Sequence, residues 1–138
     1  MWCGELGDMK GRERKGIFIE SGRKIWPHEM RVAKLLVALG HDVVFLEELS
    51  IHRADILLDG VEFEIKSPRS ANSNSLEHLL KKALRQSSNI IVDMSRIKNC
   101  HDDSFRRFLI TQARNRKQIK RLIMITKKGQ IIDIDALI

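Results

Sequence analysis

Tyrosine is absent from this sequence, and the other aromatics are five phenylalanines and two tryptophans among 138 residues. That composition does not supply the row of stacked rings on which single-strand binders rely. The two cysteines, Cys3 and Cys100, make neither a disulfide framework nor a thiolate metal cluster, which fits a reducing cytosol. His28, His41, His52, His78 and His101 have no spacing that would build a zinc site with them. Residues 1–24 hold no apolar stretch of the kind a signal peptide needs. No run approaches the roughly eighteen consecutive apolar residues of a membrane span. A glycine-rich phosphate loop, a Walker motif and a zinc finger are all missing, so nucleotide-driven work is not indicated.

What is present is charge. With 43% apolar and 31% charged residues the chain reads as a soluble globular protein, long enough for one core. Its net charge of +7 and pI near 9.7 favour an anionic partner, of which nucleic acid is the commonest, and no membrane. Five of the eight glycines (Gly4, Gly7, Gly11, Gly16 and Gly22) fall in the first 22 residues. Residues 1–24 are therefore expected to form a flexible leader and residues 25–138 a single domain. Ile17, Phe18 and Ile19 can add a short edge strand.

From Pro27 the pattern becomes regular. Pro27 suits the first position of a helix, Met30, Ala33, Leu36 and Val37 recur at helical spacing, and Gly40 is placed to end it. Residues 43–46 read as a strand. Residues 54–58 and 61–66 read as two more, joined by Asp59-Gly60, the dipeptide a two-residue type I′ turn favours. Asn74 with Glu77 resembles a capping box opening a helix striped by Leu76, Leu79, Leu80, Ala83 and Leu84. A strand over 89–94 follows. A third helix carries Phe105, Phe108, Leu109 and Ala113, with Asp102 or Asp103 as its cap. Strands over 122–125 and 131–134 close the chain as a hairpin. The order αβββαβαββ predicts an α/β sandwich.

The central hairpin carries the chemistry. With Asp59 and Gly60 as its loop, Ile56 pairs with Phe63 and Asp55 with Glu64. Directly opposed residues share a face, with Cβ atoms roughly 4.5–5.5 Å apart. Lys66, two residues on, lies on the same face as Glu64. Two carboxylates about 5 Å apart repel by roughly 3 kcal/mol at an effective dielectric near 20. The pair is tolerable if its face is wet, if one group is protonated, or if a cation binds between them. Oxygen donors select hard ions, so Mg²⁺ or Mn²⁺ is the expected cofactor. A solvated strand face would also carry alternating charge. Against that bland alternative stand Glu29, placed one turn before inward-facing Ala33, and Gln86, three residues after Ala83 on the second helix. Leu57 beside Asp55 also shows that the hairpin faces are not uniformly polar.

A helix with Glu29, strands with Asp55 and with Glu64-Ile65-Lys66, a helix with Gln86, then a strand over 89–93: this order resembles the PD-(D/E)XK nuclease core. The resemblance covers about residues 27–94. It implies an αβββαβ restriction-endonuclease-like core with a C-terminal helix and β-hairpin added. It also implies that Asp55, Glu64 and Glu29 hold the metal, that Lys66 assists the attacking water, and that Gln86 orients phosphate or water. The proline of the family's name is absent, since Ala54 precedes Asp55. The stretches Glu64-Ile65-Lys66-Ser67-Pro68 and Gln86 to Asp93 are further similar to the C-terminal tRNA nuclease domains of contact-dependent inhibition toxins of the CdiA type. That likeness implies tRNA as substrate, an immunity protein as partner, and action in the cytoplasm of the producing or the target cell.

Basic residues gather at Lys81, Lys82 and Arg85, and again at Arg114, Arg116 and Lys117. Both groups are candidates for phosphate contacts rather than only a solvated helix back. The leading expectation is a metal-dependent endonuclease, RNA slightly favoured over DNA, acting as monomer or homodimer. One rival is a metal-free ribonuclease of the barnase/colicin/RelE-like kind, using His28 or His52 with Lys66 for acid–base work. The other is a non-catalytic nucleic-acid-binding module with a nuclease-like core.

Overall fold

Alternation along the strands decides how the layers stack. The computed structural model describes residues 16–48 and 53–138, so Cys3, His52 and residues 1–15 of the expected leader lie outside the described residues. Strands β1 (Ile17–Ile19), β2 (Val43–Phe45), β3 (Ile56–Leu58), β4 (Val61–Lys66), β5 (Asn89–Asp93), β6 (Arg121–Ile125) and β7 (Ile131–Asp133) form one sheet in that order. Helices α1 (Pro27–Ala38), α2 (Ser73–Ala83) and α3 (Asp102–Asn115) flank it. The sheet is mixed: β1 runs parallel to β2, β4 to β5 and β5 to β6, while β2–β3, β3–β4 and β6–β7 are antiparallel. The expected αβββαβ core with a terminal helix and hairpin is present.

Residues of alternate parity feed two cores. Phe63, Ile65, Ile91 and Ile123 pack with Val32, Ala33 and Leu36 of α1. Ile90, Val92, Leu122 and Met124 pack with Leu76, Leu80, Phe105 and Leu109 of α2 and α3. Both faces of β5 and β6 are thus covered, which is why these parallel strands read as continuous apolar runs instead of alternating ones. Each fully buried Ile or Leu contributes about 1.5–3 kcal/mol relative to exposure.

Local signals set most boundaries. Gly40, at φ +95°, ends α1: its N–H donates to Val37 O and the His41 N–H to Leu36 O, the paired bonds of a Schellman motif. Asp59 and Gly60 both have positive φ, as a type I′ turn requires, and the register Ile56–Phe63, Leu57–Glu62, Leu58–Val61 is the expected one.

Two caps differ from expectation. Helix α2 is capped by Asn72, whose Oδ1 accepts from Ser75 N at 3.1 Å, and not by Asn74. Both asparagines precede an apolar stripe, and the earlier start leaves Asn74 inside the first turn. Helix α3 begins after His101, without a side-chain cap, so Asp102 and Asp103 occupy its first turn, where they complement the helix dipole. The expected leader boundary also moves. Ile17–Ile19 pairs with β2, and Arg23 is buried at 7% exposure, so residues 16–24 are built into the domain.

Candidate active site

The hairpin register carries Asp55 to the position beside Glu64. Asp55 stands just before β3, and its Oδ2 accepts the N–H of Ile65 at 2.8 Å. Glu64 is 5% exposed, and continuing the register beyond Ile56–Phe63 sets part-buried Asp55 opposite it. Alternation puts Lys66 on the Glu64 side, with Nζ 3.2 Å from Glu64 Oε2. Three of the sequence-derived residues are therefore brought together by one local element.

Burial and mutual repulsion act on this pair. Desolvation first, and the neighbouring Asp55 second, raise the Glu64 carboxyl to about 7 against the opposing pull of Lys66. Asp55 is also raised, first by burial, against the pull of the Ile65 N–H. Two neighbouring carboxyls, Glu64 buried and Asp55 part-buried, cannot both ionise freely, so near neutral pH they hold a proton or need a cation. Glu64 Oε1 is buried and has no hydrogen-bond partner. It is the atom at which a proton or a cation would sit.

Glu29 reaches the same end of the sheet from α1, but its oxygens are engaged. Oε1 accepts from Trp26 N at 2.9 Å, closing the first turn of α1, and Oε2 lies 3.2 Å from Arg23 Nη2. The same Nη2 lies 3.6 Å from Asp55 Oδ1. A guanidinium thus stands between Glu29 and Asp55. Among the described residues no group of three His, Cys, Asp or Glu side chains is gathered to hold a metal ion. The carboxylate pair is assembled; a three-carboxylate cage is not.

Gln86 lies past the last turn of α2, next to Ser87, whose hydroxyl donates to Glu62 O at 3.1 Å. Strand β5 then runs beside β4 with Ile90 abreast of Glu64. Gln86 Oε1 is buried without a partner. Among the described residues, the buried side-chain polar atoms lacking any partner belong to Arg23, Glu64, Ser67 and Gln86. Two of these were picked out from sequence, and Ser67 follows Lys66 directly. A buried orphan polar atom is costly and rare, which makes these four residues candidates for contact with a ligand. His28 Nδ1 lies 3.4 Å from Arg96 Nη1.

Arg23 is the residue that sequence reasoning missed. It lies in the glycine-bearing stretch expected to be leader, and nothing about a lone arginine there signals burial. Its spacing of six residues before Glu29 was the one available clue.

The basic residues divide by exposure. Lys81, Lys82, Arg85, Arg114 and Lys117 are exposed, whereas Arg116 is half-buried with Nε bonded to Gln112 Oε1 at 2.8 Å. Lys120 N donates to Ser88 O at 2.9 Å, tying the exit of α3 to the exit of α2. The helices that carry the two basic groups, separate in sequence, therefore lead into the sheet at the same end, where β5 and β6 begin.

Comparison with known proteins places this architecture. No curated protein sequence matches the chain. A chain of a CdiA-CT/CdiI toxin and immunity complex from Burkholderia pseudomallei has the same fold, with TM-score 0.63 and 19% identity over 86% of this chain and 98% of that one. The family model for the contact-dependent growth inhibition CdiA C-terminal domain matches residues 52–131, a stretch that includes Asp55, Glu64, Lys66 and Gln86. More than half of the chain fits that model, and the chain belongs to the contact-dependent growth inhibition CdiA C-terminal domain family.

Proposed function

We propose that this domain is a toxin that hydrolyses phosphodiester bonds in nucleic acid, an endonuclease of the PD-(D/E)XK type acting on RNA, tRNA foremost, in preference to DNA. The observation that carries this reading is the pairing of part-buried Asp55 with buried Glu64 across the hairpin, with Glu64 raised to about 7 and Lys66 Nζ 3.2 Å from it. Such a pair is costly to a fold that does not use it.

The donors fit a hard divalent ion, Mg²⁺ or Mn²⁺. They are all oxygen, one of them is a buried orphan, and Mg²⁺ commonly takes one or two carboxylates with water and substrate oxygens for the rest. Asp55 and Glu64 would hold the ion. When bound, such an ion supplies polarisation of a phosphoryl oxygen and a more acidic water. The side chains supply the remainder. The Ile65 N–H fixes the Asp55 carboxylate, and Lys66 Nζ is placed to donate to a phosphate oxygen or to orient the attacking water. The exposed basic groups at the exits of α2 and α3 would track the phosphate backbone.

A nuclease of this family harms the cell that makes it unless neutralised. A cognate immunity protein is the partner we infer, in keeping with the Burkholderia complex, and a target-cell cytoplasm is the place of action. No helix among the described residues is long and apolar enough to cross a membrane. The test is incubation of the purified protein with tRNA, duplex DNA and branched DNA, with and without EDTA. Cleavage of tRNA that stops in EDTA and returns with Mg²⁺ or Mn²⁺ is expected. Undiminished cleavage in the chelator would overturn the metal assignment and move the chemistry toward His28 and Lys66.

A further inference from the structure

Arg23 is held more completely than any cation at the site. Its side chain is 1% exposed, with Nη2 3.2 Å from Glu29 Oε2 and 3.6 Å from Asp55 Oδ1. Nη1 donates to Lys24 O and lies 3.8 Å from Glu48 Oε2. The guanidinium also stacks over Phe45, with Cζ 5.5 Å from the ring centroid. Contacts from the first turn of α1, the end of β2 and the start of β3 converge on this one group.

We propose that Arg23 is a built-in cation occupying the third-ligand position, so that Glu29 anchors Arg23 and is not itself a metal ligand. The inference rests on the metal-dependent reading above and specifies its ligand set as Asp55 and Glu64. Electrostatics argue for it. A guanidinium and a divalent ion cannot share the gap between Glu29 and Asp55 without strong repulsion, and only one of the two can lie there. Glu29 could offer Oε2 to a metal only at the expense of the Arg23 contact, or Oε1 only at the expense of the Trp26 N–H that it caps. Arg23 is thereby a positioning residue. It neutralises Glu29 and holds the Oδ1 side of Asp55, while the Ile65 N–H holds Oδ2. A fixed cation this close also weakens the grip of Asp55 on a divalent ion, which keeps the resting affinity low.

The experiment is a Mn²⁺ titration of the full chain, followed by water-proton relaxation, on wild type, E29Q, R23Q, R23K and D55N. D55N should lose binding. E29Q, whose amide oxygen can still accept from Trp26, should bind within about twofold of wild type, whereas loss of a true ligand costs about tenfold or more. R23Q should bind about tenfold tighter, because a positive charge 3.6 Å from Asp55 Oδ1 is removed, and R23K should stay near wild type. A tenfold weakening in E29Q, or no tightening in a folded R23Q, would overturn the inference and leave the metal reading standing. If R23Q shows no cooperative melt, the E29Q and R23K affinities decide alone. Absence of Mn²⁺ binding by wild type would overturn the metal reading and this inference with it.

Discussion

Lys66 Nζ lies 3.2 Å from Glu64 Oε2, two residues back along the same strand. Same-strand neighbours two apart share a face, so this ion pair needs no tertiary contact to form. It nevertheless leaves Glu64 raised, because burial and Asp55 outweigh the single lysine. The consequences are measurable.

Loss of either carboxylate should disable cleavage. Asp55→Ala and Glu64→Ala are each expected to lower the cleavage rate by roughly a hundredfold or more. Nucleic-acid binding should survive or tighten, since negative charge is removed. Rates and affinities measured on the same preparations check this, and wild-type rates in either variant would refute the assignment of the pair.

Stability should fall as pH rises in metal-free buffer. The Glu64 carboxyl has an ordinary value of 4.5 and is raised to about 7 in the folded chain. Between those values the native state holds a proton that the unfolded state has released. Stability contributed by that proton is present below pH 4.5 and is lost as pH climbs through about 7. Glu64→Gln removes the titration. In EDTA the variant should gain on wild type by on the order of 2 kcal/mol between pH 5 and pH 8. Urea melts at the two pH values read the difference, and parallel curves would show that Glu64 does not hold the proton.

Substrate grip should depend on salt through the basic edge. On α3 and its exit, Arg114 and Lys117 are exposed, while Arg116 is partly occupied by Gln112. Changing all three to Ala should flatten the slope of log K against log salt by about 1.5–2 units, at about 0.7–0.9 per phosphate contact. Affinity should drop alike across sequences, and cleavage at saturating substrate should change far less. An unaltered slope would make these charges a solvated face and shift attention to Lys81, Lys82 and Arg85.

The turn should be tested for backbone strain alone. Gly60 sits at φ +85°, and a Cβ built there meets nothing within 4 Å. Gly60→Ala therefore adds no clash and should cost about 1–2 kcal/mol, the penalty of a left-handed conformation for a residue with a side chain. A urea midpoint equal to wild type would mean that the turn relaxes to another type, and the hairpin register would then need re-examination.

Much of the site was legible because it is local. Asp59-Gly60 sets a type I′ turn, the turn sets the register, and the register places Asp55, Glu64 and Lys66 on one face within a twelve-residue segment, 55–66. The layer order followed from periodicity, and the continuous apolar runs at β5 and β6 announced strands covered on both faces. The caps of α2 and α3 were misplaced by a residue or two, because neighbouring polar residues compete for the same role and packing chooses between them.

What only the tertiary structure decided depends on contacts between segments far apart in the chain. Arg23 is buried because β1 pairs with β2 and α1 docks over the same end of the sheet, leaving a pocket of carboxylates that only a cation can fill. No local pattern encodes that pocket, so an arginine in a glycine-bearing stretch read as leader. The same docking turns Glu29 from an expected ligand into the anchor of a guanidinium. The exits of the two basic helices, too, are tied together only by the tertiary bond from Lys120 N to Ser88 O. Charge and register are written along the chain, but which charge neutralises which is settled by the fold, since Coulomb energy depends on distance in space and not on distance in sequence.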